Sequence, residues 1–221
     1  MEVSHAVQDY LKALHHLGGA ERLVTPNDLA ERLEVRGPSV TGMLKRLAEA
    51  GWIHYESGRG ASLTPTGLRE ALRVVRRHRL VELFLHRVLK LDWSEVDAEA
   101  EALEHAISPR LERALAEFLG EPLEDPHGHP IPSPEGVIAQ RNAEPLVGLK
   151  IGDVFVVREV PDDNPERLRR WHELGLTPGA RGRLVSHQPL DDVFELDMGS
   201  NVVRLGQEGL AGVLGERLSE E

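Results

Sequence analysis

The stretch between residues 25 and 64 constrains the fold of this chain more than any other part of it. A hydroxyl at Thr25 followed by a proline predicts a short helix over 26–33, because threonine caps helices and proline suits their first turn. After a tight break, apolar spacing predicts a second helix over 38–50. Two β-prone segments around the turn ESGRG then predict a hairpin within 52–64. Helix, turn, helix and hairpin in this order are typical of a winged helix-turn-helix domain.

Further amphipathic helices lie on both sides of this stretch. Apolar residues at helical spacing predict a first helix over 4–17 and a long helix over 65–89. Another helix is predicted to open at Ser94, where Asp97 completes an approximate capping box. A last helix of this group is predicted over 109–119.

The segment 120–145 divides the chain. It contains six of the 14 prolines and several glycines, which is typical of a linker. Beyond it, short alternating segments and one brief helix near 165–174 predict a small β-barrel of about five strands. The predicted fold class is therefore mainly α with small β parts.

Composition excludes several kinds of protein. The chain has 221 residues, enough for two or three small domains, and no cysteine, which excludes disulfides, iron–sulfur clusters and thiolate metal sites. Histidine and carboxylates remain as side-chain metal ligands. Since the sequence shows neither a long apolar run nor a signal-like start, we expect a cytoplasmic protein that does not enter a membrane.

The charge distribution bears on nucleic-acid binding. A net charge of −11 argues against it, but arginines predominate between residues 68 and 90, so local charge matters more than the total. The helix over 38–50 has a length that fits a major groove. An ordinary three-helix bundle with a solvated face is the alternative, but it does not explain the hairpin that follows the third helix. We therefore expect contacts with double-stranded operator DNA from Arg36, Pro38, Ser39, Thr41, Gly42, Lys45, Arg46 and Arg59.

An acidic run near residue 100 is the strongest indication of function. Four polar residues spaced at i, i+4, i+7 and i+8 form one stripe of a helix, beside an apolar stripe that should face the core. They are Asp97, Glu101, Glu104 and His105. Carboxylates that border a core are costly unless something pairs with them. A divalent cation would do so, and carboxylates with imidazole suit Mn²⁺, Fe²⁺, Co²⁺ or Zn²⁺.

Other histidines and acids have to be weighed against this stripe. His78 and Glu82 share one face of the long helix; each alone is more simply a surface residue, but helices joined by a short connection pack antiparallel and bring polar stripes together. Asp9 on the first helix would then close the site. His127 and His129 form a His-x-His pair in the linker, where histidines are more often solvated, so we do not assign them to the site.

Six short motifs are shared with a known family. They are Asp9-Tyr10-Leu11, Ala30-Glu31-Arg32-Leu33, Gly37-Pro38-Ser39-Val40-Thr41, Leu63-Thr64-Pro65-Thr66-Gly67, Arg77-His78-Arg79-Leu80-Val81-Glu82 and Glu104-His105. With them the whole chain resembles the diphtheria-toxin-repressor family of metal-dependent transcriptional regulators, manganese-responsive branch. The resemblance implies a winged helix-turn-helix domain over 1–65, a helical metal-binding and dimerisation domain over 66–140 that ends in the proline-rich linker, and an SH3-like (FeoA-like) domain over 145–218.

The resemblance also implies the metal ligands. Its principal ligand set corresponds to Asp9, Glu101, Glu104 and His105, and a neighbouring or shared site corresponds to His78 and Glu82. Asp97 stands where several relatives have a histidine ligand. The SH3-like domain lends ligands in some relatives, and Glu166 and His172 are the candidates for that role here.

Three positions bear on the choice and number of metal ions. The iron-responsive branch has methionine at the position of Asp9 and cysteine at that of Glu101, whereas the manganese branch has carboxylates, as here. Exchanging soft sulfur for hard oxygen lowers the advantage of Fe²⁺ and Co²⁺ over Mn²⁺. The manganese branch often has a glutamate three residues after the aspartate, where this chain has Lys12, so the number of bound ions stays open.

The sequence therefore predicts a homodimeric, manganese-responsive DNA-binding regulator of metal homeostasis, for example of manganese or iron transporter genes. We expect Mn²⁺ as the cofactor, with Fe²⁺, Co²⁺, Zn²⁺ or Cd²⁺ able to replace it in vitro. The alternatives are an iron-responsive repressor of the same family and a helix-turn-helix dimer regulated by something other than metal. A metal-dependent hydrolase is disfavoured, because the chain has no His-Glu-x-x-His motif and no nucleophile with a matched base.

Overall fold

The computed structural model describes residues 4–218, which form two compact units. The first unit consists of the residues up to His78 together with 104–108 and 132–138. The second consists of 79–103, 109–131 and the residues from 139 onward. No helix in this described part of the chain is both long enough and apolar enough to cross a membrane.

The first unit contains the predicted winged helix-turn-helix. Its elements are α1 (His5–His16), α2 (Pro26–Arg32), α3 (Gly37–Glu49), β1 (Ile53–Glu56), β2 (Gly60–Leu63) and the first part of α4 (Pro65–Arg87). The Thr25 hydroxyl accepts from the backbone of Asp28, whose carboxylate accepts from the Thr25 backbone, so α2 begins with a capping box. The wing is antiparallel, with Ile53 opposite Leu63.

A single apolar core joins the elements of the first unit. Leu11 and Leu14 of α1 are fully buried together with Leu29 of α2 and Val40 and Leu44 of α3. Each such side chain stabilises the fold by about 1.5–3 kcal/mol. Because α3 buries its apolar stripe in this core, beside α2 and β1, its polar side faces outward, as the helical spacing predicted.

The second unit combines helices with a sheet. The helices are the second part of α4, α5 (Val96–Leu103), α6 (Pro109–Leu119), α7 (Pro165–Leu174) and α8 (Gln207–Leu210). The strands are β3 (Glu144–Pro145), β4 (Val154–Glu159), β5 (Arg181–Gln188), β6 (Val193–Asp197), β7 (Val202–Gly206) and β8 (Leu214–Leu218). The antiparallel sheet has the order β3-β8-β4-β5-β6-β7, and its core is built around Phe155 and Trp171.

The predicted fold class is confirmed, but three local predictions need correction. The sheet has six strands instead of about five, since the short β3 pairs with β8. The helix predicted to open at Ser94 begins only at Val96, and the Ser94 hydroxyl donates to Asp92 Oδ1 at 2.6 Å. The α-helix also ends at Leu103, and Glu104–Ala106 form a 3-10 turn. The acidic stripe therefore does not lie on one continuous helix.

Candidate metal centre

Three metal-type ligands meet in the first unit, and we call them the first cluster: Asp9, Glu104 and His105. His105 Nε2 lies 2.7 Å from Asp9 Oδ1 and 3.6 Å from Glu104 Oε1. The Glu104 side chain is fully buried, whereas that of Asp9 is 37% exposed. Two carboxylates and one imidazole, with one edge open to solvent, fit a divalent cation.

Hydrogen bonding fixes the ring of His105. Its Nδ1 lies 2.9 Å from Gln8 Oε1, and because that amide oxygen can only accept, Nδ1 carries the proton. The Gln8 amide group in turn donates to Glu70 Oε1 at 3.1 Å, which determines which end of the amide faces the ring. Nε2, the nitrogen that faces Asp9, is therefore the ring atom left to bind a cation. His5 stacks on the same ring at 4.6 Å between centroids.

Glu104 is held as a buried carboxylate by two further groups. Lys12 Nζ donates to both carboxylate oxygens, at 2.9 and 2.7 Å, and His78 Nδ1 lies 2.6 Å from Oε2. Burial by itself would raise the pKa of Glu104, but the hydrogen bond with His78 and the charge of Lys12 outweigh it and keep the pKa below its usual value. The site therefore offers an ionised carboxylate at neutral pH.

The structure brings four of the seven predicted metal residues together within the first unit. They are Asp9, His78, Glu104 and His105. The other three belong to the second unit, where Glu82 is fully buried on α4, Asp97 is half-buried on α5 and Glu101 is exposed on α5. The ligand roles of Asp97 and Glu101 stay predictions.

A second group of ligands, the second cluster, lies in the second unit. It consists of Glu82, Asp125, His127, His129 and Asp162. His127 Nδ1 lies 3.5 Å from Glu82 Oε1, and His129 Nδ1 lies 3.2 Å from Asp125 Oδ2 and 3.4 Å from Asp162 Oδ2. The expectation that the linker histidines are solvated is wrong, because His127 is fully buried.

The loop that carries these histidines is held in place by hydrogen bonds to its backbone. Asp125 Oδ1 accepts from the backbone of His127 at 2.8 Å and of His129 at 3.0 Å. Gly128 has φ +89°, and a Cβ there would come within 1.8 Å of Arg158 O, so the position requires glycine. The backbone of Val160 donates to His127 O at 3.0 Å. The spacing Asp-x-His-x-His, with prolines at 126 and 130, was the sequence signal for this rigid loop.

The second cluster carries strongly shifted groups. Burial by itself would lower the pKa of His127, but the Glu82 carboxylate 3.5 Å away and the charge of Asp125 raise it to about 9. Burial would likewise raise the pKa of Asp125, whereas His129 and Arg79 lower it to about 2. Burial would lower the pKa of His129 as well, but the charge and hydrogen bond of Asp125 raise it. A metal ion at these imidazoles therefore has to displace protons.

The residues predicted to contact DNA lie on one helix and on the wing. Arg36 precedes α3, and seven of the eight residues are exposed, Thr41 being half-buried with its hydroxyl donating to Gly37 O at 3.3 Å. Gly42 is exposed, and a Cβ at this position would have nothing within 4 Å, so the backbone can approach a base edge there. Arg59 at the wing tip forms an ion pair with Glu56. DNA contact by these residues stays a prediction.

The two candidates from the C-terminal domain lie on α7. Both Glu166 and His172 are exposed, and the His172 ring lies 5.8 Å from that of Trp93. Among the residues that the structure describes, neither belongs to a group of three ligands that could share an ion. Asp162, which lies shortly after the end of β4, is instead the residue that enters the second cluster.

Comparison with known proteins agrees with this architecture. The family model "iron dependent repressor, N-terminal DNA binding domain" matches residues 2–61, the "metal binding and dimerisation domain" matches 64–133, and the "FeoA domain" matches 144–217. The iron-dependent repressor IdeR of Mycobacterium leprae is 33% identical over 213 residues, which cover 90% of this chain and 91% of that protein.

Solved structures give the same result. A manganese-dependent transcriptional repressor in complex with manganese has a TM-score of 0.90 at 33% identity, with 96% of this chain and 100% of that chain covered. ScaR with bound Zn²⁺ has a TM-score of 0.82 at 27% identity, with 96% of this chain and 99% of that chain covered.

The winged helix, the ligand clusters and these matches define a metal-dependent DNA-binding transcriptional repressor and not an enzyme. The chain belongs to the iron-dependent repressor family with a C-terminal FeoA domain, which implies operator DNA and a second copy of the chain as partners.

Proposed function

We propose that this repressor responds to manganese and controls genes for manganese or iron uptake. The observation that carries the proposal is the donor set of the first cluster, in which Asp9 and Glu104 meet His105 and no sulfur ligand takes part. Such hard donors remove the advantage that sulfur gives to Fe²⁺ and Co²⁺. The high similarity to a manganese-dependent repressor bound to manganese supports the same choice.

Asp9 would couple metal binding to DNA binding. It lies on α1, whose apolar face shares one core with α3, and its carboxylate meets the turn that carries Glu104 and His105. A bound cation supplies the positive charge that lets both carboxylates approach His105. Asp9 then fixes α1, and with it α3, so that the two winged helices of a homodimer fit half-sites about one helical turn apart or a multiple of it. A coupling of about 1–3 kcal/mol is typical of such linkage.

We also propose a further metal site at the second cluster. Glu82, His127 and Asp162 offer ligand atoms within 4.8 Å of one another, and so do Asp125, His127 and His129. Buried carboxylates and imidazoles at this density are costly without a cation or a proton to balance them. Because the residues come from α4, the loop and the segment after β4, an ion here would tie the helices of the second unit to its sheet.

The test is fluorescence anisotropy of a labelled promoter fragment of a manganese-transporter gene, at fixed salt, with chelator or with buffered Mn²⁺, Fe²⁺ or Zn²⁺. We expect the tightest binding in Mn²⁺ and its loss in the variant Glu104→Gln with His105→Gln. The variant Asp9→Met with Glu101→Cys should shift the preference towards Fe²⁺ and Co²⁺. Tighter binding in Fe²⁺ at equal free metal would instead identify an iron-responsive repressor. Equal binding with and without every metal would leave a dimer regulated by something else.

A further inference from the structure

Lys12 is a buried cation inside a group of metal-type ligands. It lies on α1 one turn after Asp9, and its side chain is only 9% exposed. Its ammonium nitrogen lies 2.7 and 2.9 Å from the two oxygens of Glu104 and 3.2 Å from His78 Nδ1. A buried ammonium needs acceptors such as the two Glu104 oxygens, because its desolvation is otherwise strongly unfavourable.

The Lys12 ammonium occupies the space in which a metal ion would have to lie to bind both Glu104 and His78. A carboxylate has about four lone-pair positions, and Lys12 uses one on each oxygen of Glu104. The remaining positions include the side of Oε1 that faces His105, at 3.6 Å from its Nε2. One divalent ion can therefore bind beside His105 while Lys12 stays in place.

Charge leads to the same conclusion. Within the first unit, the carboxylates of Asp9 and Glu104 and the Lys12 ammonium sum to a net charge of −1 when both histidines are neutral. One divalent cation reverses this to +1, and a second would raise it to +3 in a largely buried place. Like charges in such surroundings repel strongly, since little water screens them.

We propose that Lys12 is a built-in cation that replaces a second metal ion, so that the first cluster binds one divalent cation between Asp9, Glu104 and His105. Lys12 is thus a residue that determines metal stoichiometry, and it also pairs with Glu104 when no metal is bound. This inference rests on the proposed metal site at the first cluster and names how many ions that site takes.

The experiment counts Mn²⁺ in the full-length protein by equilibrium dialysis and atomic absorption, together with electron paramagnetic resonance. Lys12→Glu should bind one Mn²⁺ per protomer more than the wild type and show the spectrum of a spin-coupled manganese pair. Lys12→Arg, which keeps the charge, should bind the wild-type number. Lys150→Glu, an equal charge change at an exposed residue of the second unit, is the matched control and should also bind the wild-type number.

A second variant keeps the test valid if Lys12→Glu does not fold. Lys12→Gln retains a hydrogen-bond donor without the charge and should bind Mn²⁺ at the first cluster about tenfold more tightly, since the repulsion by the ammonium is removed. The inference is overturned if Lys12→Glu folds but takes up no additional ion, or if Lys12→Gln binds no more tightly. A separate variant, Asp9→Asn, tests the site itself. If it binds as many ions as the wild type and as tightly, the first cluster holds no metal, and the proposed site fails together with the role of Lys12.

Discussion

His127 Nδ1 lies 3.5 Å from Glu82 Oε1, and both side chains are completely buried. That distance is at the outer limit of a hydrogen bond, yet in such surroundings the charge attraction is strong enough to favour a protonated imidazole. The other ring nitrogen, Nε2, lies 2.8 Å from Trp93 O, so it donates to the backbone. In the metal-free protein a proton on this ring therefore balances the buried carboxylates of the second cluster.

The first prediction concerns the pH dependence of metal-free stability. The pKa of His127 is raised from 6.5 to about 9, so its contribution is fully present below pH 6.5 and is lost as pH rises through about 9. The pKa of Asp125 is lowered from 3.8 to about 2, so its contribution is present above pH 3.8 and is lost as pH falls through about 2. Urea unfolding in chelator should show a loss of about 1–3 kcal/mol between pH 6.5 and 9.

The variant His127→Gln should abolish most of this loss, because glutamine does not titrate. His54→Gln, at an exposed histidine of the wing, is the matched control and should retain it. An unchanged slope between pH 6.5 and 9 in His127→Gln would show that the buried pair does not titrate in this range.

The second prediction concerns the orientation of His105. Gln8→Ala removes the acceptor of its Nδ1 proton and should weaken Mn²⁺ binding at the first cluster by about 10–100-fold. The double variant Gln8→Glu with Glu70→Gln exchanges the donor and acceptor between the two side chains. Because position 8 still accepts the Nδ1 proton, this variant should bind Mn²⁺ as tightly as the wild type. Nitrogen-15 chemical shifts of the His105 ring report the tautomer directly. If Gln8→Ala leaves both the shifts and the affinity unchanged, Gln8 does not set the tautomer.

The third prediction concerns phosphate contacts. Lys45 is exposed on α3 beside the residues expected to meet base edges. Lys45→Ala should weaken binding to all DNA sequences about equally and reduce the slope of log affinity against log salt by about 0.9, since one phosphate contact is lost. The measurement is a salt titration of anisotropy with operator and non-operator DNA. Lys150→Ala should not change the slope, and an unchanged slope in Lys45→Ala would place α3 away from the backbone.

The fourth prediction separates stability from DNA binding at Gly42. This glycine lies in the interior of α3 with no positive φ, and a Cβ there would meet nothing within 4 Å. Gly42→Ala should therefore stabilise the protein by about 0.5–1 kcal/mol, because alanine loses less entropy in a helix. If α3 approaches the bases at this point, the same variant should weaken operator binding while raising Tm. A variant that is more stable and binds operator equally well would exclude a close approach at Gly42.

The sequence was sufficient for several features that local chemistry decides, although it misplaced both ends of α5. Thr25 and Asp28 cap α2 through atoms three residues apart, and the inward positions of α1 and α3 follow from helical spacing alone. The absence of cysteine limits the ligand types, and the spacing around Glu104 and His105 indicates where ligands lie. None of these inferences needs to know which distant residues meet.

Only the tertiary structure decided which polar residues are buried and what balances them. Nothing in the sequence near His127 shows that it meets the backbone of Trp93 and Val160, and nothing near Lys12 shows that its ammonium meets a glutamate 92 residues away. Whether a buried charge is stable depends on how much water the distant elements exclude from it and on which partner groups they supply. Neither can be read from the neighbouring sequence. For that reason the sequence determined the kinds of ligand and the winged helix, whereas the packing decided the second cluster and the cation that Lys12 places beside Glu104.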